Sequence, residues 1–241
     1  MRALVLCVAA AACCAGMRAQ EDPLAEGLRL YRAGDFARAH ECFTTALAMP
    51  DAPHGDVLFH LGNAAFRLDR PAEALWHYRR ALGHLPRDAE LRANVAVVEA
   101  RLGVEPPPAT LGEVLLAPLA RLTAGEQLGL ATALQVVGVL VWFAARRRAT
   151  VRAVAAAAGL AGLALGVRVA VQQAWPQPTS AVVLQASALR AEPDAGAATI
   201  LALRPGETVR VAGEHGDWIE VTHPLATGFV ARAAVGLVDG T

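Results

Sequence analysis

The chain has 241 residues, with 22 basic and 22 acidic side chains and a formal net charge of zero. This balance argues against a nucleic-acid-binding protein, which would need a basic face. Hydrophobic residues make up 55% of the chain. They concentrate in a few segments, and this distribution indicates a membrane-anchored protein made of several parts.

The N-terminus has the pattern of an export signal. A short basic start and an apolar run that ends at Ala15 predict a secretory signal peptide over residues 1–19. An uncleaved anchor is one alternative, and Cys13 and Cys14 raise the alternative of a lipoprotein, although the alanines before them form a poor lipidation motif. In each case the following region is exported. Cys42 is then the remaining cysteine, which argues against an internal disulfide.

Residues 22–103 show helical periodicity and repeat at a spacing of about 35 residues. The recurring positions are small or aromatic, in the pairs Gly27 and Gly62, Ala39 and Ala74, Phe43 and Tyr78, and Ala46 and Ala81. This pattern resembles the tetratricopeptide repeat, with two repeats followed by a capping helix over Ala89–Leu102. Such a short array is expected to need support from a partner, from itself or from the membrane.

The resemblance implies a peptide-binding or protein-binding groove lined by the first helix of each repeat. The groove residues that it implies are Leu28, Tyr31, Phe59, Asn63, Phe66, Arg67, Glu90 and Asn94. Asn63 and Asn94 match asparagines that clamp peptide backbone in some groove-binding members, and an amide offers both a donor and an acceptor. The alternative is that these two amides only satisfy backbone groups between helices. The lysines of a carboxylate clamp are missing, since Phe59 and Glu90 stand at two of their positions.

Two apolar stretches predict a transmembrane hairpin, with helices over residues 126–145 and 153–172 after a proline-containing linker over 104–125. Their apolar runs, Leu128–Ala145 and Ala153–Val171, are each about 27–29 Å long as a helix, enough to cross the hydrocarbon core of a bilayer. The loop over 146–152 is basic, and basic short loops stay in the cytoplasm. Its arginines are Arg146, Arg147, Arg148 and Arg152. Both flanking regions therefore lie on the opposite side of the membrane, with Thr123 and Glu126 forming a capping box at the first helix.

Residues 180–240 change to an alternating pattern, which predicts short strands over Ala181–Ser187, Glu207–Ala212, Asp217–Thr222 and Gly228–Ala231. Turns are predicted at Arg204–Glu207 and at Glu214–Asp217. The order of Leu-x-x-Gly-x-x-Val, Gly-x-Trp and Gly-Phe-Val elements resembles bacterial SH3-like domains, and it implies a compact all-β barrel. Trp218 and Phe229 are its aromatic surface candidates. A polyproline groove needs more aromatic residues, so Trp218 is interpreted as barrel core or rim rather than as a ligand platform.

No catalytic or metal-binding motif is recognisable. The seven histidines form no HExxH pattern, and no nucleophile motif or phosphate-binding loop is present. We therefore expect no enzyme activity, no cofactor and no metal. His77 and His84 are interpreted as residues of a solvated helix.

The order of the modules resembles the BatE family of the bacterial aerotolerance operon over essentially the full chain. This resemblance implies a scaffold of the bacterial inner membrane with both soluble regions in the periplasm. It implies von Willebrand factor A-type membrane proteins as partners and an indirect link to a MoxR-type ATPase, with a role in oxidative-stress tolerance or envelope maintenance. A second hypothesis is an adaptor that binds peptidoglycan through the SH3-like domain. An envelope sensor would need a cytoplasmic output domain, which we do not expect here.

Overall fold

The computed structural model describes residues 22–104, 118–119, 122–145, 147–174 and 179–238. The predicted signal peptide over 1–19, most of the linker over 104–125, and Arg146 lie outside these ranges. The fold consists of an N-terminal helical region, two long apolar helices and a C-terminal all-β region.

The helical region contains five consecutive helices. They are α1 (Pro23–Arg32), α2 (Phe36–Leu47), α3 (His54–Arg67), α4 (Pro71–His84) and α5 (Ala89–Leu102). Side-chain caps explain three of the helix starts, because the carboxylates of Asp22, Asp35 and Asp88 accept hydrogen bonds from backbone N–H groups in the first turns of α1, α2 and α5. Proline is the first residue of α1 and α4, where its missing N–H costs nothing.

The recurring glycines allow the two helices of each repeat to approach closely. A Cβ atom on Gly27 would lie 2.5 Å from the Phe43 ring, and one on Gly62 would lie 2.4 Å from the Tyr78 ring. Phe43 and Tyr78 are buried in a core that they share with Leu58, Leu61 and Leu75, among others. The small and aromatic residues that recur in the sequence therefore pack against each other between the two helices of each repeat.

The long apolar helices are α6 (Ala124–Ala144) and α7 (Ala149–Ala174), and they pack against each other. The predicted capping box at the start of α6 is confirmed, with Thr123 and Glu126 bonded reciprocally. Close approach depends on glycine, because a Cβ on Gly138 would lie 2.8 Å from the Ala155 oxygen and one on Gly162 would lie 2.7 Å from the Ala131 oxygen. Both helices are long and apolar enough to cross a membrane, and only 17% and 22% of their spans are buried within the structure.

The C-terminal region forms one antiparallel sheet, which has seven strands within residues 179–238. The strands are β1 (Ser180–Val183), β2 (Ser187–Arg190), β3 (Thr199–Leu203), β4 (Thr208–His215), β5 (Trp218–His223), β6 (Ala226–Ala231) and β7 (Val235–Leu237). Their order across the sheet is β3-β2-β6-β5-β4-β1-β7, and their inward side chains form one buried core. This all-β arrangement is consistent with the predicted SH3-like domain.

Two turns of this sheet contain a glycine with a positive φ angle. Pro205 and Gly206 form the predicted turn between β3 and β4, with φ +87° at Gly206 and a 3.2 Å hydrogen bond from Glu207 N–H to the Arg204 oxygen. Gly216 has φ +63° in the β4–β5 hairpin. The alternating pattern located β4, β5 and β6, but it predicted one strand over Ala181–Ser187, where the chain in fact leaves β1 at Val183 and begins β2 at Ser187.

The all-β region packs on the outer helix of the second repeat. Strands β1 and β7 contact α4, and Val182 of β1 belongs to the buried core of the helical region. The Trp76 indole N–H donates a 2.7 Å hydrogen bond to the Leu237 carbonyl oxygen. Gly236 is needed at this contact, since a Cβ there would lie 2.7 Å from the Trp76 ring. The short repeat array therefore packs against the C-terminal region of its own chain.

Candidate functional site

The residues predicted to line the groove lie on α1, α3 and α5. The predicted apolar residues are half-buried against the helical core, namely Leu28, Tyr31, Phe59 and Phe66. Arg67 and Glu90 are exposed. The all-β region packs on α4, the second helix of its repeat. The predicted groove helices and the docked domain thus involve different helices of the second repeat.

Asn63 and Asn94 come together in the structure, and a tyrosine joins them. The Tyr78 hydroxyl donates a 2.6 Å hydrogen bond to Asn63 Oδ1, and the Asn94 amide nitrogen donates a 3.4 Å hydrogen bond to the same oxygen. Burial is the main reason why the pKa of Tyr78 is raised well above its usual value. The two amides therefore bond to each other and to a tyrosine side chain, and not to the backbone groups that the alternative interpretation expects. Within the described residues, however, the Asn63 N–H₂ group and the Asn94 side-chain oxygen form no hydrogen bond.

Guanidinium groups cover aromatic rings near these residues. The Arg67 guanidinium lies 4.3 Å from the centre of the Phe36 ring, which also packs edge-on against Tyr31 at 5.1 Å. Arg101 lies 5.1 Å from the Phe66 ring centre. These contacts link α2 to both α1 and α3, and α3 to α5, so the groove residues are held by neighbouring helices before any partner binds.

A cavity of about 290 Å³ lies between the helical and all-β regions. Trp76, Arg80, Leu184, Arg232 and Leu237 are among the residues that line it. Arg232 is paired with Glu214 at 2.6 Å, whereas Arg80 has no acidic partner within the described residues and lies 5.2 Å from the centre of the Trp76 ring. Burial lowers the pKa of Arg80. The cavity therefore presents a half-buried positive charge beside an aromatic ring, which suits an anionic group.

The two aromatic candidates of the all-β region do not form a shared platform. Trp218 is half-buried at the start of β5, opposite Ala231 of β6. Phe229 is half-buried on β6 and packs edge-on against His215, with ring centres 5.4 Å apart. Within the described residues no ring contact joins Trp218 to Phe229. The aromatic residue at the surface between the domains is instead Trp76, which the sequence interpretation did not select.

The structure also corrects the interpretation of His77 as a residue of a solvated helix. His77 is only 5% exposed, because α4 turns this side towards α2. There it meets Glu73 of its own helix and His40 of α2, whose Nε2 lies 3.1 Å from Glu73 Oε1. Hydrogen bonding to the two imidazoles holds the pKa of Glu73 well below its usual value, and burial lowers the pKa of His77. No sequence motif indicates this cluster, since its members come from two repeats.

The arginines that predict the topology lie at the end of the apolar helices. Arg147 and Arg148 are exposed between α6 and α7, and the Arg152 guanidinium lies 4.2 Å from the centre of the Trp142 ring. At the other end of the helices, Arg168 donates a 3.4 Å hydrogen bond to the Gln127 side-chain oxygen. The α6 N-terminus is tied to the helical region through the ion pair of Glu126 with Arg87.

Comparison with known protein families agrees with the two soluble folds. Residues 24–90 match the tetratricopeptide repeat, and residues 176–235 match the bacterial SH3 domain. A comparison with curated proteins finds no match. The chain thus carries a tetratricopeptide-repeat region and a bacterial SH3 domain on either side of two long apolar helices.

Proposed function

We propose that this protein is a membrane-anchored scaffold that binds a protein partner through the groove of its repeats and has no catalytic role. The observation that carries the proposal is the incomplete hydrogen bonding of the Asn63 and Asn94 side chains. Asn63 is held by Tyr78 and Asn94 is held by Asn63, yet a donor on Asn63 and an acceptor on Asn94 are left without a partner in the described structure. Such a pair is suited to the N–H and C=O groups of an extended peptide.

The proposed location is the bacterial inner membrane, with both soluble regions on the extracytoplasmic side. Packing of β1 and β7 on α4 supports this topology, because two regions that contact each other must lie on the same side. The apolar helices then enter and leave from that side, and the exposed Arg147 and Arg148 lie in the cytoplasm. Most of the surface of both helices is not covered by protein. This is expected of helices in contact with lipid and not of helices in the core of a soluble domain.

The proposed assembly is a Bat-type complex that supports oxidative-stress tolerance or envelope maintenance. Its partners are von Willebrand factor A-type membrane proteins, and a MoxR-type ATPase is linked only indirectly because it is cytoplasmic. The support is the resemblance of the module order to the BatE family. The two domain matches on either side of the apolar helices agree with that order.

The test is purification of the tagged full-length protein from native membranes in mild detergent, followed by mass spectrometry of what accompanies it. The double variant Asn63→Ala/Asn94→Ala is compared with Tyr78→Phe, which removes the same 2.6 Å hydrogen bond but keeps both amides. We expect von Willebrand factor A-type proteins with the wild type and Tyr78→Phe, and their loss in the double variant. Absence of any membrane partner from the wild type would contradict the proposal.

A second candidate function is that of an adaptor that binds peptidoglycan. It is favoured by the bacterial SH3 match and by the cavity in which Arg80 and Trp76 offer a positive charge and a ring to an anionic stem peptide. Sedimentation of the full-length protein in detergent with purified sacculi tests it. Retention by sacculi that is lost in Arg80→Gln would favour the adaptor, whereas no retention would exclude it.

A further inference from the structure

Three side chains of metal-binding type meet between the two repeats. His40 comes from α2, while Glu73 and His77 lie one turn apart on α4. The His40 Nε2 atom is 3.1 Å from Glu73 Oε1, and the His77 Nε2 atom is 3.9 Å from the same oxygen. Ligand atoms of all three residues lie within 4.8 Å of one another. Two imidazoles thus converge on one carboxylate oxygen.

The cluster is sheltered, which distinguishes it from an ordinary patch of surface charge. The exposed fractions of the side chains are 18% for His40, 26% for Glu73 and 6% for His77. The buried Nε2 atom of His40 lies 3.1 Å from the Glu73 carboxylate, and the Nδ1 atom of His77 is buried without a hydrogen-bond partner in the described part of the chain. The two imidazoles therefore meet the carboxylate in a place that is largely shielded from solvent.

We propose that His40, Glu73 and His77 bind one divalent transition-metal ion of the zinc class. Two neutral imidazoles and a carboxylate form a donor set that Zn²⁺ accepts, and three protein ligands leave a coordination position for water. Ligand atoms around a tetrahedral zinc ion are separated by about 3.3 Å, given Zn–N and Zn–O bonds of about 2.0–2.1 Å. The 3.1 Å pair has nearly this separation, and binding would require His77 Nε2 to move closer from its present 3.9 Å.

Such an ion would join the second helix of one repeat to the second helix of the next. Two repeats are fewer than a tetratricopeptide array usually needs for its stability, and a ligand that binds only the folded state stabilises it. The role is structural and lies away from the groove, so it does not depend on the proposed function. Without a metal, the same three groups would form only a His–Glu–His ion network.

The experiment uses the full-length protein in detergent, purified through a tag that contains no histidine and freed of metal with EDTA. Calorimetric titration with ZnCl₂ is expected to show one ion per chain. Zinc at 100 times its dissociation constant is expected to raise the Tm of the helical region by roughly 10–20 °C. Replacement of zinc by Co²⁺ is expected to give the visible absorption of a tetrahedral site, a signature that an ion network lacks.

The variants His40→Gln and Glu73→Gln each remove one ligand and are expected to weaken zinc binding at least tenfold. The matched control is His54→Gln/His84→Gln, whose two rings are also 6.0 Å apart but stack on each other outside the three-residue cluster. Its zinc affinity should equal that of the wild type. The proposal is wrong if the wild type binds no zinc saturably, or if His40→Gln binds it as tightly as the wild type. It is also wrong if His40→Gln and Glu73→Gln change only the Tm of the metal-free protein and leave zinc binding as it is in the wild type.

Discussion

The indole N–H of Trp76 donates a 2.7 Å hydrogen bond to the carbonyl oxygen of Leu237, across 161 positions of the chain. Trp76 belongs to the second tetratricopeptide repeat and Leu237 to the last strand of the SH3 domain. The chain between them contains both apolar helices. This one contact therefore joins the two soluble regions and supports their placement on the same side of a membrane.

Loss of this hydrogen bond should loosen the domain contact. Trp76→Phe keeps most of the ring but leaves the Leu237 oxygen without its donor, so we expect a free-energy loss of about 0.5–1.5 kcal/mol. Faster hydrogen exchange at β7 and α4 is the measurement that reports it. Trp142→Phe, on an exposed face of α6, is the control and should leave that exchange unchanged. Equal exchange in wild type and Trp76→Phe would contradict the contact.

Gly206 and Gly216 provide a matched pair for the same contact. Both have positive φ, +87° and +63°, so replacement by alanine strains the backbone at either site by about 1 kcal/mol. Only at Gly206 would the new Cβ also meet the helical region, 2.6 Å from Leu102 Cδ1. Gly206→Ala should therefore cost about 1–3 kcal/mol more than Gly216→Ala in thermal unfolding. Similar losses in both variants would show that the regions do not pack here.

The packing within repeats predicts opposite effects for two helical glycines. Gly62→Ala places a Cβ 2.4 Å from the Tyr78 ring, and we expect it to destabilise the helical region by about 1–3 kcal/mol. Gly83 on α4 has no neighbour within 4 Å of the added Cβ, so Gly83→Ala should stabilise the helix by up to about 1 kcal/mol. Helical circular dichroism during thermal unfolding measures both. A stabilising Gly62→Ala would contradict the packing.

The proposed topology predicts which cysteines an impermeant maleimide reaches in intact spheroplasts. In a background without native cysteines, Ala195→Cys of the all-β region should be labelled, because residue 195 is exposed and lies on the extracytoplasmic side. Thr150→Cys, exposed at the start of α7, should react only after the membrane is permeabilised. Labelling of Thr150→Cys in intact spheroplasts would overturn the topology.

Acid should destabilise the helical region through His60. Its ring stacks on Phe43 at 5.4 Å, and burial lowers its pKa against the opposing effect of Asp56 and Glu90, with a smaller lowering effect from Arg32. The unfolded chain therefore binds a proton more readily than the folded one. Stability is complete above the ordinary histidine pKa of about 6.5 and falls as the pH drops below it.

The measurement is the Tm of wild type and His60→Gln between about pH 7.5 and about pH 5.5 in the presence of EDTA. The Tm of the wild type should fall by more degrees over this pH range than the Tm of the variant. The remaining acid dependence in the variant comes from His77, whose pKa is also lowered by burial. Identical pH profiles would exclude His60 as a source of the acid effect.

Much of the local structure could be predicted because its causes are local. Asp22 and Asp88 cap the helices that follow them, Thr123 and Glu126 form the capping box, and Gly206 forms its turn. The repeat spacing located Gly27 and Gly62 because a glycine that faces an aromatic ring recurs with the helix pair. Strands β2, β3 and β7 were not located, because each has only three to five residues. An alternation this short is too weak to recognise in the sequence.

Relationships between distant elements had no such signal. Periodicity shows which face of α4 is apolar, but it does not show what covers that face, and so neither the Trp76–Leu237 contact nor the cavity beside Arg80 could be predicted. The meeting of His40 with Glu73 and His77 has the same cause. The spacing of residues within one repeat predicts its helix pair. The angle between the two repeats, which this spacing does not show, decides which side chains of α2 and α4 meet.

The sequence by itself determined the kinds of module, their order and several helix starts and turns, because caps, glycines and hydrophobic spacing act within a few residues. Tertiary structure alone decided that the SH3 domain rests on α4 and that two histidines share one carboxylate oxygen. These features arise from packing between elements far apart in the chain, where shape complementarity selects the contact and no spacing in the sequence records it.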